Sequence, residues 1–409
     1  MTSRSDNPTD TEINRSLLVK RLLKRLKPDK WPFNLDDLPE GSVLVGGSIR
    51  DILLNKQYMT HDLDFVLPKH SIDTCIKLAQ KYGGKAIVLD PKRDIARYVF
   101  KEWKIDLASQ IGKNLKEDLL ARDFTINAIA LRWFPVLEVL DPSGGLEDLF
   151  NKKLVAIAEK NILEDPLRIL RGVRLISEFN FAIDHQTQEL LKKNATLLKG
   201  VASERIKVEI ERLIQGNWAD DAIRFLIKLD LLKDPWRGSY YPYVSDCVSL
   251  KNVSSFSPNE LKLALPLVRL TYLLSEEGLV DLGFSRKIIK SCNFLRFWHH
   301  KYDDLGYTGL NEVERLQLHM DLENHLPALI LLLSSDDQQI WLERWRDPLD
   351  PLFHPSSPIN GNALKETFQV KEGPVIGKLI YLLTKERAFG RLQKLEEAFT
   401  LARYWLEHN

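Results

Sequence analysis

At 409 residues the chain is too long for one ordinary domain and predicts two to four compact units. Apolar residues make up 44% and charged residues 28%, an ordinary soluble composition, and no apolar run is long enough to cross a bilayer. The net charge of +1 excludes bulk basicity as a sign of nucleic-acid binding, so any RNA surface must be local.

Residues 1–16 carry acids and no apolar stretch of the kind a signal peptide needs, and read as a disordered lead. Residues 17–27, L-L-V-K-R-L-L-K-R-L-K, form a basic amphipathic helix. Its plain reading is a helix packed on the first domain with lysines in water; an RNA or membrane-surface helix is the alternative. Short apolar strands are expected at 43–45, 63–67, 86–89, 96–100, 104–108 and 137–140. A helix at 71–82 begins at Ser71, taken as its cap, and closes at Gly83-Gly84. This is a mixed sheet with helices on one side, so the fold class is α+β.

Residues 45–64 are the most informative stretch: V-G-G-S-I-R-D-I-L-L-N-K-Q-Y-M-T-H-D-L-D. Gly46-Gly47 offers bare backbone between a strand and a helix, where amide N–H groups can hold phosphate. Asp62 and Asp64 sit at i and i+2 on a strand, so both carboxylates share one face and can hold a divalent metal. Alone, the glycines are a tight turn and the aspartates a solvated strand edge. In this order they point to metal-assisted nucleotide transfer.

After about residue 155 the pattern is almost wholly helical. Asp165-Pro166 is expected to start one helix, Ser203 another, and Asp220 to Leu232 a third. Breaks rich in Pro and Ser fall at 234–257 and 346–362. Cys75, Cys247 and Cys292 are far apart and lack metal-site spacing, as expected of reduced thiols in a cytoplasmic protein.

The first motif resembles that of the class II tRNA nucleotidyltransferase and bacterial poly(A) polymerase family, within the polymerase-beta-like nucleotidyltransferases. Three further stretches are similar to it: L-L-A-R-D-F-T-I-N-A-I-A over 119–130, D-P-S-G-G at 141–145 with Asp148-Leu149, and E-D-P-L-R-I-L-R-G-V-R over 164–174. Order and spacing agree over about residues 40–215, and more weakly at 358–377. The resemblance implies a head domain at 17–155, a helical neck at 156–235 that binds the base and RNA, a body at 236–350 and a tail at 351–409.

It also implies chemistry. Two Mg²⁺ ions at Asp62 and Asp64 would activate a 3′-hydroxyl and stabilise the phosphate. Asp106 is the candidate third catalytic carboxylate; a strand-end Asp in water is its alternative. Gly46 and Gly47 would admit the triphosphate, with Arg50 adding positive charge; Asp51 would orient Arg50 or cap the backbone, with a local ion pair as its plain alternative. Arg122 is placed to touch phosphate or sugar, and Asp123 and Asn127 to read ribose hydroxyls. Many family members have two arginines where this chain has Ala121-Arg122.

Asp165, Arg168, Arg171 and Arg174 recur every three residues and make one drifting helical stripe. In the family the equivalent Asp and first Arg act as a protein template. An acceptor and a donor so placed suit cytosine and adenine, which present an amino group beside an acceptor. The implied activity is template-independent addition of C, A or both to the 3′ end of tRNA, with tRNA, CTP and ATP as partners and no stable protein partner. A poly(A) polymerase and an inactive RNA-binding relative are the alternatives. In the family, a longer flexible element between the equivalents of Asp106 and Arg122 is linked to switching from C to A. The segment here is short, which leaves a single-specificity enzyme open. Lys378, Lys385, Arg387 and Arg391 are candidate tRNA phosphate contacts.

Overall fold

The computed structural model describes residues 15–55, 61–232, 254–370 and 372–408. Most of the first 16 residues, most of the 234–257 break and Cys247 lie outside the described residues. The chain divides into two compact units, Met1–Gly200 and Val201–Asn409.

The first unit is built on a seven-stranded sheet. Its strands are β1 (Val43–Val45), β2 (Asp62–Leu67), β3 (Lys85–Asp90), β4 (Ile95–Phe100), β5 (Trp103–Ser109), β6 (Ala130–Arg132) and β7 (Glu138–Leu140). Their spatial order is β3-β4-β5-β2-β1-β6-β7. All pairs are antiparallel except β2–β5, which is parallel and sets Asp64 opposite Asp106. Central strands are apolar where they are covered: Val43, Leu44, Val45, Leu63, Phe65, Ile105 and Leu107 are buried, while the Asp62 and Asp64 side chains face outward. That alternation on β2 is the period of two that turns both aspartates to one face.

Helix α1 (Arg15–Leu26) packs on α2 (Gly47–Leu53) and on β7 through buried Leu18, Leu22 and Leu26. The plain reading of the basic helix therefore describes its packing. Helix α3 (Ser71–Tyr82) has the expected extent, but Ser71 is not its cap. Asp94, from the loop before β4, accepts from the backbone N–H groups of Ser71 and Ile72, both at 2.9 Å. A tertiary carboxylate thus satisfies orphan donors that a local hydroxyl was expected to take.

The sheet is followed by α4 (Leu115–Leu120), α5 (Gly145–Phe150), α6 (Glu159–Glu164), α7 (Arg168–Phe179) and α8 (His185–Lys193), with a small parallel pair β8 (Lys153–Leu154) and β9 (Ala182–Ile183). The helix expected to open at Asp165-Pro166 opens at Arg168, whose N–H donates to Asp165 O at 3.0 Å. Strand β6 was not expected; it is only three residues long, and its five-residue link to β7, W-F-P-V-L, is mostly apolar.

The second unit is helical throughout its described residues, from α9 (Ser203–Leu213) and α10 (Ala219–Lys228) to the last helix, Leu395–His408. Its core holds a buried ion pair, with Arg269 Nε and Nη2 donating to Asp220 at 2.8 and 2.9 Å. The C-terminal helices close on Leu364, Leu379, Leu383, Ala398 and Ala402. No helix among the described residues is long and apolar enough to cross a membrane.

Candidate active site

The site grows from the β1–α2 turn. Gly46 has φ +79°, a left-handed conformation that a side chain would strain. A Cβ there would lie 3.4 Å from Asp64 Oδ2 and 3.9 Å from Arg122 Nη1. The missing side chain therefore leaves open the ground between a carboxylate and a guanidinium. Arg122 Nη2 reaches Asp118 at 3.4 Å, and its buried Nε has no hydrogen-bond partner among the described residues. Ser48, the second residue of α2, is also buried, its hydroxyl without a partner among the described residues. Sequence reasoning passed over Ser48; its only signal was its place directly after the two glycines. Unpaired buried donors beside a bare turn are costly unless a ligand takes them up.

Asp62, Asp64 and Asp106 gather on one sheet face. The depth of the cleft pushes the Asp64 carboxyl up to about 6, and the Asp106 charge adds to the rise; Arg122 pulls the other way, Asp62 raises it further, and Arg97 lowers it. Asp106 is not a strand-end group in water. Arg97 Nε and Nη2 bind its two oxygens at 2.6 and 2.9 Å. The third carboxylate is therefore adjacent to the pair but tied down by a bidentate partner. Among the described residues no three His, Cys, Asp or Glu side chains converge to hold an ion.

Several expected nucleotide contacts lie under the cleft instead. Arg50 is buried, donates through Nη1 to Asn127 Oδ1 at 2.6 Å and through Nε to Asp51 at 2.9 Å, and stacks 4.6 Å from the Phe179 ring. Asp51 pairs with Arg50 as a neighbour in sequence, and the guanidinium braces the turn from below. Asn127 Nδ2 donates to Asp123 Oδ1 at 3.0 Å, and Arg171 Nη2 lies 3.1 Å from Asp123 Oδ2. Burial raises the Asp123 carboxyl, but Arg171, Asn127 and the Phe124 N–H outweigh it and hold it below the ordinary range. Asp123 and Asn127, expected to read ribose hydroxyls, are both buried and join a bracing chain, Arg50–Asn127–Asp123–Arg171.

The arginine stripe on α7 separates in the same way. Arg171 serves that chain, and Arg174 Nη1 donates to Glu178 at 2.7 Å. Arg168 uses Nη1 alone for its hydrogen bonds to described residues, to Ala121 O at 2.8 Å and Asn161 O at 3.1 Å. Asp165, between α6 and α7, is three residues away. The members of the stripe thus have different partners, and Arg171 keeps 38% of its side-chain surface exposed.

Residues 42–155 match the Poly A polymerase head domain model, and residues 180–234 match the model described as the probable RNA and SrmB-binding site of polymerase A. A CC-adding tRNA nucleotidyltransferase of Synechocystis is 28% identical over 405 residues, covering 91% of this chain and 95% of that protein. A CCA-adding enzyme of Streptococcus agalactiae is 30% identical over 386 residues, covering 87% and 90%. The structure of the Thermotoga maritima CCA-adding enzyme complexed with tRNA aligns over 96% of this chain and 98% of that one, with a TM-score of 0.69 at 21% identity. The chain is an enzyme of the CCA- and CC-adding tRNA nucleotidyltransferase family, with a poly(A)-polymerase-type head.

Proposed function

We propose that the chain extends the 3′ end of tRNA with nucleotides from CTP, adding C-C and stopping before A. The observation that carries the transfer chemistry is the convergence of Gly46, Asp64 Oδ2 and Arg122 around one open turn. Gly46-Gly47, the buried Ser48 hydroxyl and Arg122 receive the triphosphate. The tRNA 3′-oxygen bonds to the α-phosphorus, the bond to the β-phosphate bridging oxygen breaks, and pyrophosphate leaves. Asp165 accepts from the exocyclic amino group, and Arg168 donates to the ring acceptors beside it.

Asp62 and Asp64 fit hard divalent cations: their oxygens share one strand face, and the Asp64 carboxyl is raised first by burial and then by the Asp106 charge, both of which a bound cation would offset. When bound, Mg²⁺ at these residues supplies charge neutralisation for the phosphates and the attacking hydroxyl. Asp106 acts from behind, on the charge of Asp64. Residues 156–235 serve as neck, 236–350 as body and 351–409 as tail.

The restriction to C rests on the link between β5 and α4. It has no slack: Ile111 N donates to Asp118 at 2.9 Å, Lys113 N donates to Glu117 at 2.9 Å, and Asn114 caps α4 by accepting from Glu117 N at 3.0 Å. A tied link leaves no flexible element to remodel the site for A. The CC-adding relative of Synechocystis supports this reading, although the CCA-adding relative of Streptococcus agalactiae is matched over a similar share of its length. Incubating the protein with tRNA ending before C-C-A, after one C, or after C-C, with each NTP singly, decides the matter. C added to the first two and nothing to the third is the expected result. A single A on the third makes it CCA- or A-adding, and a run of A makes it a poly(A) polymerase.

A further inference from the structure

We propose that Asn161 is a positioning residue that couples the arginine aimed at the phosphates to the arginine that reads the base. The inference rests on the base-reading role given above to Arg168. Asn161 sits in α6 and is fully buried. Its Nδ2 donates to Leu120 O at 2.9 Å and to Arg122 O at 2.6 Å. Its own backbone carbonyl accepts from Arg168 Nη1 at 3.1 Å, and the same Nη1 donates to Ala121 O at 2.8 Å. Three consecutive carbonyls, of residues 120, 121 and 122, are thus gripped alternately by Asn161 and Arg168.

Those carbonyls close α4, where the last C=O groups of a helix lack intrahelical partners and carry partial negative charge. A primary amide suits them because one nitrogen presents two N–H groups, one for each flanking carbonyl. The orientation is fixed: the reverse would turn Oδ1 against two carbonyl oxygens. Oδ1 is instead buried with no partner among the described residues. A hydroxyl offers one donor here, and a carboxylate none. Through this grip the backbone of Arg122 and the guanidinium of Arg168 share one anchor. The phosphate end and the base end of the nucleotide are then held in one register. Small errors in such a register cost rate and selectivity out of proportion to their size.

The test compares Asn161→Ala, Arg168→Ala and the double variant in full-length protein. It reads single-nucleotide addition of CTP against UTP, the KM for CTP, tRNA affinity and the melting temperature. Asn161→Ala is expected to lower discrimination about tenfold, on the scale of two lost buried hydrogen bonds to backbone carbonyls. The KM for CTP should rise while tRNA affinity holds. The double variant should discriminate no worse than Arg168→Ala alone, because Asn161 acts through Arg168. If Arg168→Ala loses discrimination but Asn161→Ala keeps it, or if the two losses add, the positioning role is overturned and the base-reading role stands. If Arg168→Ala itself discriminates like the parent, the base-reading role fails, and this one with it. Should Asn161→Ala not fold, Asn161→Ser, which keeps one donor, is put through the same comparison.

Discussion

Asp64 and Asp106 are register partners on the one parallel strand pair of the seven-stranded sheet, and Arg97 from the next strand holds both oxygens of Asp106. The cleft carboxylates are therefore unequal. Asp106 is neutralised by its own guanidinium, whereas Asp64 takes the cost of depth and of neighbouring charge.

This inequality predicts a pH signature. The carboxyl of Asp64 is raised from 3.8 to about 6 in the folded chain. The folded state then binds a proton that the unfolded state has released, so the stabilising contribution is complete below the unfolded value and is lost as pH rises through about 6. Asp64→Asn should raise the melting temperature of metal-free protein near neutral pH and change it little at the acid end. Because the side chain reaches solvent, the gain is roughly 1 kcal/mol rather than the full shift. Added Mg²⁺ should stabilise the parent and not the variant. Melts in chelator and in Mg²⁺ across this range check it; an equal gain at both ends of the range would refute the assignment.

Two glycines with similar positive φ but different ψ, −141° at Gly46 and 20° at Gly144, help separate strain from function. Gly46 and Gly144 have φ +79° and +76°, and a Cβ at Gly144 meets nothing within 4 Å. Alanine should cost about 1–2 kcal/mol of stability at Gly144, which is left-handed helical, and more at Gly46, whose ψ brings it close to a region that glycine nearly alone adopts. Only Gly46→Ala also fills the space between Asp64 and Arg122, so only it should weaken nucleotide binding, by tenfold or more. Nucleotide titration of both variants, at temperatures where each is folded, is the measurement. Equal nucleotide affinity would show that the turn does not hold the triphosphate.

How far the site could be read from sequence follows from how local each relationship is. Gly46-Gly47 and Asp62-x-Asp64 announce themselves because a turn and a two-residue period need only neighbours. Asp106 could be named as a candidate, but its place beside Asp64 depends on a parallel pairing across about 40 residues, and its tie to Arg97 on a third strand. Asp123 and Asn127 carry the residue types that read a ribose, and burial alone turns them into bracing. Asn161 and Asp94 gave no local signal, since each satisfies backbone groups of a distant segment. The stripe at 165–174 was visible as a period, yet its members part company because each meets a different neighbour across the packed interior.

The bracing chain gives a stability prediction. Asp123→Ala leaves Arg171 without its carboxylate and Asn127 without an acceptor, and through Asn127 loosens Arg50. Breaking a buried pair by removing one partner costs about 3–5 kcal/mol; because Arg171 can turn partly to solvent, the low end applies. The melting temperature of the variant should fall by several degrees. Activity per folded molecule, measured well below the transition, should fall much less. A variant with unchanged melting temperature and lost activity would return Asp123 to the nucleotide surface.

The tail offers the last discrimination, between basic residues that are equivalent in sequence and unequal in the fold. Arg391 is bound by Glu312 at 2.9 Å through both terminal nitrogens, and by Glu386 as well. Arg387 reaches Ser356 at 3.1 Å. Lys378 is exposed on the helix Pro374–Ala388. A cation already matched by two carboxylates releases few counterions from RNA, whereas an exposed lysine releases about one. Lys378→Gln should weaken tRNA binding and lower the slope of log affinity against log salt by about 1. Arg391→Gln should leave that slope unchanged and instead cost a little stability. Titrations of full-length protein with tRNA over a salt series read both effects. A reduced slope for Arg391→Gln, with none for Lys378→Gln, would place the phosphate contact on the paired arginine and show that RNA binding opens its ion pairs.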